Sequence, residues 1–171
     1  TSRRQRQMCI RDSTFADDTI PGIDLIYPDP GFIVERKDNL LGIVLTHAHE
    51  DHIGAIAHLW PQLKCKIFAT PFTALLIKEK FKEKHIDITN DLEIVQLNGK
   101  IFLSEFEIEY ITLTHSILEP NGLRIKTPAG VILHTGDWKV DPNPLIGDEI
   151  NSKRLKEIGD EGVLAMICDS T

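Results

Sequence analysis

The sequence is short of cysteine and of long apolar runs, and both shortages limit what the protein can be. It has three cysteines in 171 residues, and no two of them form a Cys-x-x-Cys pair. Such usage favours a reducing compartment, and we predict a cytoplasmic location. No apolar run approaches the length needed to cross a membrane, so no membrane association is expected. Cys65 and Cys168 lie in strand-like runs and are predicted to fill the core.

Basic residues are also in short supply. The chain has 19 Lys and Arg residues against 26 Asp and Glu residues, which gives a formal net charge of −7. This balance argues against a surface that binds nucleic acid along its whole extent. The sequence has no internal repeats and no low-complexity linker, and its 42% hydrophobic content suits one globular domain.

The first thirteen residues do not fit this pattern. The segment "TSRRQRQMCIRDS" carries four arginines and no periodic apolar residues. A disordered basic arm or a short targeting segment would explain it, but it also resembles the translated end of a sequencing adapter. We therefore predict that residues 1–13 are non-native or disordered and that residues 14–171 form the folded part. The strand-like run "VLAMICDST" reaches the last residue, so we expect a fragment of a larger domain, cut at both ends.

Apolar periodicity predicts a strand followed by a helix in the first third of the chain. Residues 42–46 form a short apolar run that is typical of a buried strand. A helix is expected to begin at Asp51 or His52. Its apolar stripe consists of Ile53, Ile56, Ala57 and Trp60. Pro61 is expected to end this helix.

Strands and helices alternate along the rest of the chain. The predicted elements are, in order, a strand at 65–70, a helix from Thr70-Pro71 to about Lys84, strands at 92–97 and 100–114, a hairpin at 122–137, a helix at 152–158 and a strand at 163–167. The apolar parity changes within 100–114, which predicts a bulge just before His115. This order of elements predicts an α/β sandwich.

Ionisable groups are concentrated directly after the first buried strand. The segment "HAHEDH" at 47–52 places three histidines and two carboxylates in six positions. His47 and His49 are two residues apart, so an extended backbone points both side chains the same way. Asp51 and His52 follow at the turn into the helix. Burying such groups unpaired is costly, so their convergence predicts a site for zinc or manganese. A solvated helix cap with incidental histidines is the alternative.

Two later residues also follow apolar strands. His115 ends "EYITLTH" and Asp137 ends "VILHTGD". Strand ends are where sites are usually assembled, so both residues are predicted metal ligands. Taken singly, His115 would be a hydrogen-bonded edge residue and Asp137 a turn former. His134 is predicted either to orient a ligand or to be part of the strand.

These motifs together resemble a known family. "THAHEDHIGA", "THS" and "HTGDWKVD" are similar to successive motifs of the metallo-β-lactamase fold, and specifically of the ribonuclease J family in its β-CASP group. The stretches "DDTIPGIDLIYPDP", "TPFTALLIKEKF" and "IGDEGVLAMICDST" extend the resemblance over nearly all of residues 14–171. H-x-H-x-D-H alone occurs in many metallohydrolases, whereas its combination with Glu50 and "HTGDWKVD" is much more specific.

The resemblance implies an αββα sandwich, incomplete here, that holds two zinc ions, with manganese or magnesium as alternatives. The implied ligands are His47, His49 and His115 for one ion, Asp51 and His52 for the other, and Asp137 bridging the two. Asp51 is also the implied catalytic residue, because it would orient the attacking water or accept its proton. A last histidine ligand, the β-CASP domain and the C-terminal domain are expected to lie outside this chain.

The implied activity is hydrolysis of RNA as a 5′-to-3′ exonuclease with endonuclease activity, by a protein that can form homo-oligomers. Two alternatives stay open. A small-molecule metallohydrolase, such as a glyoxalase II-like thioesterase or a lactonase, would use the same first motif and metals. A non-catalytic metal-binding domain would need the ligands but no substrate site.

Overall fold

The computed structural model of the protein describes residues 14–15 and 25–169. The prediction for residues 1–13 lies outside this part of the chain. Within the described residues, no helix combines the length and the apolar character needed to cross a membrane.

The described helices are short except for one. They are α1 (Gly31–Val34), α2 (Glu50–Ile53), α3 (Ile56–Leu63), α4 (Pro71–Glu83) and α5 (Ser152–Glu161), with a 3₁₀ turn at Lys37–Asn39. The apolar stripe predicted from Ile53 to Trp60 is buried, as expected for helical residues that pack on a sheet. It spans two helices, α2 and α3, whereas a single helix from Asp51 or His52 was predicted.

The strands in the described part of the chain form three sheets. In chain order they are β1 (Thr14–Phe15), β2 (Leu25–Ile26), β3 (Ile43–Val44), β4 (Ile67–Ala69), β5 (Leu92–Ile94), β6 (Lys100–Leu103), β7 (Phe106–Thr112), β8 (Asn121–Thr127), β9 (Gly130–His134) and β10 (Ala165–Ile167). Strands β1 and β2 form a small antiparallel pair, and β3-β4-β5 form a parallel sheet. The largest sheet has the order β10-β9-β8-β7-β6, antiparallel except for the parallel β10–β9 pair.

The two larger sheets face each other between layers of helix. Phe68 of β4 packs with Ile108, Tyr110 and Leu123 of the large sheet, and the Tyr110 hydroxyl donates to the Phe68 carbonyl at 3.0 Å. Helices α2, α3 and α4 cover the outer face of the three-stranded sheet. Helix α5 covers the outer face of the large sheet through Ile158. The predicted αββα sandwich is therefore confirmed.

Four further local predictions are wrong. Helix α3 continues beyond Pro61 and ends only where Lys64 adopts a left-handed conformation with φ 49°. Residues 100–114 form two strands, because Leu103 pairs with Phe106 across a tight turn. The change of parity in β7 reflects burial of both faces, one against the other sheet and one against α5. Cys168 is exposed, whereas Cys65 is buried as predicted.

Candidate metal centre

Three chain segments, each following a strand, bring the predicted ligands together. The segment after β3 carries His47 and His49, the segment after β7 carries His115, and the segment after β9 carries Asp137. Strand β3 belongs to the smaller parallel sheet, while β7 and β9 belong to the larger sheet. The centre therefore lies where the two sheets meet at one edge of the sandwich.

The first group of ligand atoms comes from three histidines and one aspartate. Among the described residues, His47, His49, His115 and Asp137 place one ligand atom each within 4.8 Å of one another. His49 Nδ1 lies 3.2 Å from His47 Nε2 and 3.1 Å from His115 Nε2. His47 is fully buried, so its imidazole must be satisfied inside the protein.

The second group shares Asp137 with the first and adds two residues from α2. Asp51, His52 and Asp137 also place their ligand atoms within 4.8 Å of one another. His52 Nε2 lies 3.1 Å from Asp137 Oδ2 and 3.3 Å from Asp51 Oδ2. The Asp51 side chain is 51% exposed, in contrast to 6% for His52. Asp51 therefore faces the open side of the centre.

These donor sets suit divalent transition metals. Imidazole nitrogens and carboxylate oxygens are the ligands that zinc accepts, and two nitrogen ligands of a tetrahedral zinc ion lie about 3.3 Å apart. The nitrogen–nitrogen distances of 3.1–3.2 Å around His49 are close to that separation. Burial, and to a lesser degree the neighbouring His49 ring, lowers the pKa of His115. This shift favours the neutral imidazole, which is the form that binds a metal.

A lysine holds the short helix that carries Asp51 and His52. Helix α2 has a single turn, Glu50–Ile53. The ammonium group of Lys80 in α4 donates to both carboxylate oxygens of Glu50, at 2.6 and 2.7 Å. This ion pair connects α2 to the longest described helix, and the sequence pattern gave no sign of it because the two residues are 30 positions apart.

The segments that carry His115 and Asp137 are also joined to each other. Thr114 and Lys139 form an isolated antiparallel bridge. The Lys139 backbone N–H donates to the Thr114 carbonyl at 2.8 Å, and the Thr114 hydroxyl donates to the Lys139 carbonyl. His134 accepts a hydrogen bond at Nδ1 from the Gly136 backbone N–H at 3.0 Å. His134 thus orders the turn that leads to Asp137 and belongs to neither group of ligand atoms.

The sandwich and the cluster of histidines and aspartates at its edge are together typical of the metallo-β-lactamase fold. The family model for the metallo-beta-lactamase superfamily matches residues 21–157. The chain therefore belongs to this superfamily.

Within this superfamily, the chain is similar in sequence to curated proteins named ribonuclease J. The chain is 42% identical over 160 residues to ribonuclease J of Sinorhizobium meliloti, and this alignment covers 92% of this chain and 28% of the relative. It is 38% identical over 159 residues to ribonuclease J of Helicobacter pylori, with 92% of this chain and 23% of the relative covered. The chain thus spans about a quarter of the length of these relatives.

One solved structure supports the fold. A variant of a metallo-beta-lactamase from Cronobacter sakazakii superposes with a TM-score of 0.52 and 17% identity, and the match covers 77% of this chain and 55% of that one. The similarity at this identity concerns the fold alone.

The six predicted ligands lie in the two groups described above, and their roles stay predictions. Sequence reasoning missed two residues that join the ligand segments to helix α4: Lys80 and Glu119. Glu119 accepts a hydrogen bond from the Phe72 backbone N–H at 2.9 Å and so caps α4, whereas the side chain of Thr70, the predicted N-cap, makes no capping hydrogen bond. The contact joins residues 47 positions apart, a separation that local patterns do not reach.

Proposed function

We propose that this chain is the metal-binding part of a ribonuclease of the ribonuclease J type. The observation that carries this proposal is the convergence of His47, His49, His115 and Asp137 at one edge of the sandwich. The 38–42% identity to proteins named ribonuclease J over 92% of the chain supports RNA as the substrate. The proposed reaction is hydrolysis of the RNA phosphodiester bond, as a 5′-to-3′ exonuclease with endonuclease activity.

We further propose that the centre binds two divalent ions, zinc first, with manganese or magnesium as alternatives. His47, His49 and His115 would hold one ion, Asp51 and His52 the other, and Asp137 would serve both, because its carboxylate belongs to both groups of ligand atoms. When bound, such ions supply Lewis acidity and make water a nucleophile near neutral pH.

The chain's own residues then have distinct tasks. Asp51 is half exposed at the open side of the centre, so its carboxylate can orient the attacking water and accept its proton while binding metal. The buried ring of His47 is enclosed by protein and fixes one ligand position. His134 holds the turn before Asp137 through the Gly136 N–H and thereby aims the shared carboxylate.

The acidic character of the chain restricts how RNA binds. With 26 acidic against 19 basic residues, the chain offers few cations to neutralise phosphates away from the centre. We therefore propose that tracking of the RNA backbone depends on protein outside this chain. A cytoplasmic location and homo-oligomer formation complete the proposal.

The test is to express the longest open reading frame that contains this chain and to compare three substrates. RNA with a 5′-monophosphate, a thioester and a lactone are incubated with the zinc- or manganese-loaded protein. We expect RNA to be degraded and the His49→Ala variant to be inactive. The matched control is His85→Asn, since His85 is exposed and its positive φ of 56° suits asparagine. Hydrolysis of the thioester or lactone without RNA cleavage would overturn the proposal.

A further inference from the structure

Asn121 is a buried residue that contacts all three segments of the candidate metal centre. It begins β8 and is 1% exposed. Its backbone N–H and its side-chain Nδ2 both donate to the carbonyl of Thr46, at 3.1 and 3.0 Å. Thr46 immediately precedes His47, so two hydrogen bonds from one residue fix the position of the first ligand segment.

The second contact is to the segment that carries Asp137. Gly136 has φ +58°, and a Cβ placed there would lie 2.8 Å from the carbonyl oxygen of Asn121. The same Cβ would lie 3.3 Å from Cβ of Thr46. The side chain of Thr46 and the carbonyl of Asn121 therefore lie so close to residue 136 that only glycine fits there.

The third contact is a hydrogen bond within the loop that carries His115. Nδ2 of Asn121 also donates to the Glu119 carbonyl at 2.7 Å, and the Pro120 carbonyl accepts from the Leu113 N–H at 3.0 Å. The Glu119 carboxylate in turn accepts from Phe72 at the start of α4. The loop between β7 and β8 is thus tied at its base, where His115 leaves the strand.

The oxygen of the Asn121 amide differs from its nitrogen in having no hydrogen-bond partner among the described residues. This oxygen, Oδ1, is buried. A buried acceptor without a donor costs free energy, which an apolar side chain of the same shape would avoid. The two donors of Nδ2 therefore explain why an amide occupies this position.

We propose that Asn121 is a positioning residue for the metal centre: its amide aligns the segments that carry His47 and His115, and its backbone carbonyl packs against the segment that carries Asp137, without contacting the metals. This inference rests on the proposed function, since it presumes that these segments bind metal. It assigns a role in metal affinity to a residue that lies outside both groups of ligand atoms.

The test compares cobalt binding by the full chain and its variants. Asn121→Asp keeps the shape but replaces the donors with acceptors, and Asn121→Leu removes all polar atoms. The matched control is Thr112→Val, because Thr112 pairs with Asn121 across β7 and β8 and its hydroxyl donates to Asn98 instead of to a ligand segment. Each protein is titrated with Co²⁺, and the dissociation constant and visible absorption spectrum are recorded.

We expect both Asn121 variants to bind Co²⁺ about 10- to 100-fold more weakly with a changed spectrum, while Thr112→Val binds as the unsubstituted chain does. Circular dichroism checks folding, and the milder Asn121→Ser, which keeps one donor, replaces any variant that does not fold. An unchanged dissociation constant and spectrum in the folded Asn121 variants would overturn this inference alone. Failure of the unsubstituted chain to bind Co²⁺ would overturn the proposed function as well.

Discussion

His52 Nε2 and Asp137 Oδ2 lie 3.1 Å apart although 85 residues separate them in the sequence. The same carboxylate oxygen is 3.9 Å from His47 Nε2. Asp137 therefore stands between the two groups of ligand atoms, and a change at this residue acts on both at once.

Substituting Asp137 by alanine is expected to lower the number of bound zinc ions from two to one or none. The reason is that Asp137 is the residue that both groups of ligand atoms share. Metal content is measured by mass spectrometry after gel filtration. Asp141→Ala is the control, because Asp141 lies on the same segment but pairs with Lys139. Unchanged zinc content in Asp137→Ala would contradict the bridging assignment.

Substituting Asp51 by asparagine is expected to slow RNA cleavage by about 10²- to 10⁴-fold, which is the usual contribution of a general base. Asparagine cannot accept the proton, yet its shape is retained. Cleavage rates and RNA affinity are measured separately on the protein encoded by the longest open reading frame. The exposed Asp38→Asn serves as the control. Equal rates in Asp51→Asn and the parent would exclude a catalytic role for this carboxylate.

Substituting Lys80 by methionine is expected to lower the zinc affinity of the Asp51–His52 group while the free energy of unfolding changes little. The ion pair with Glu50 is partly exposed, at 24% for the lysine side chain and 53% for the glutamate, so its contribution to unfolding is at most about 1 kcal/mol. Calorimetric zinc titration and thermal unfolding are compared.

The control for this variant is Lys82→Met on the same helix. Lys82 is 77% exposed and pairs only weakly with Glu79 at 3.5 Å. If Lys80→Met and Lys82→Met bind the second zinc ion equally well, the ion pair does not position α2.

Substituting Glu109 by glutamine is expected to destabilise the fold and to reduce its acid sensitivity. Glu109 is 6% exposed, and Arg154 donates to its two oxygens at 2.7 and 2.8 Å. Hydrogen bonding from Arg154 lowers the pKa of Glu109 below its ordinary value of 4.5, against the opposing effect of burial. Because the Arg154 side chain is 28% exposed, we expect the loss of this charge-assisted pair to cost about 1–3 kcal/mol.

The pH dependence follows from the lowered pKa of Glu109. A carboxyl with a lower pKa in the folded state stabilises the fold above its unfolded pKa, about 4.5, and this stability is lost as the pH falls through the folded pKa. Urea unfolding from pH 7 down to pH 3 should therefore show a shallower acid decline in Glu109→Gln. Glu157→Gln, which removes a 47% exposed carboxylate that also pairs with Arg154, should keep the parent's slope. Parallel curves for the parent and Glu109→Gln would refute the prediction.

Local patterns predicted the elements but not the contacts between them. The stripe of Ile53, Ile56 and Trp60 follows from helical periodicity, and the start of α4 follows from the preference of proline for the first turn of a helix, both of which act over a few residues. The predicted helix end at Pro61 was wrong. A short helix tolerates the loss of one hydrogen bond in its last turn when tertiary packing buries the apolar face of the helix.

The candidate centre could be predicted in part for the same reason. The spacing of His47 and His49 is a local property, whereas the hydrogen bonds of Asn121 to Thr46 and of Glu119 to Phe72 join residues 75 and 47 positions apart. Such contacts depend on how the two sheets pack, and a single sequence does not display that packing directly. The change of parity in β7 was misread as a bulge because burial of both faces also depends on neighbouring layers.

The placement of the predicted ligands after strands of both sheets also has a kinetic consequence. Closing a chain of 85 residues between His52 and Asp137 must precede metal binding, and loops of that length close late relative to helices and hairpins. The hairpins β6–β7 and β8–β9 can form early from local contacts, whereas the centre exists only after the two sheets have met. Rapid-mixing experiments should therefore find metal capture to be the slow, final phase of folding.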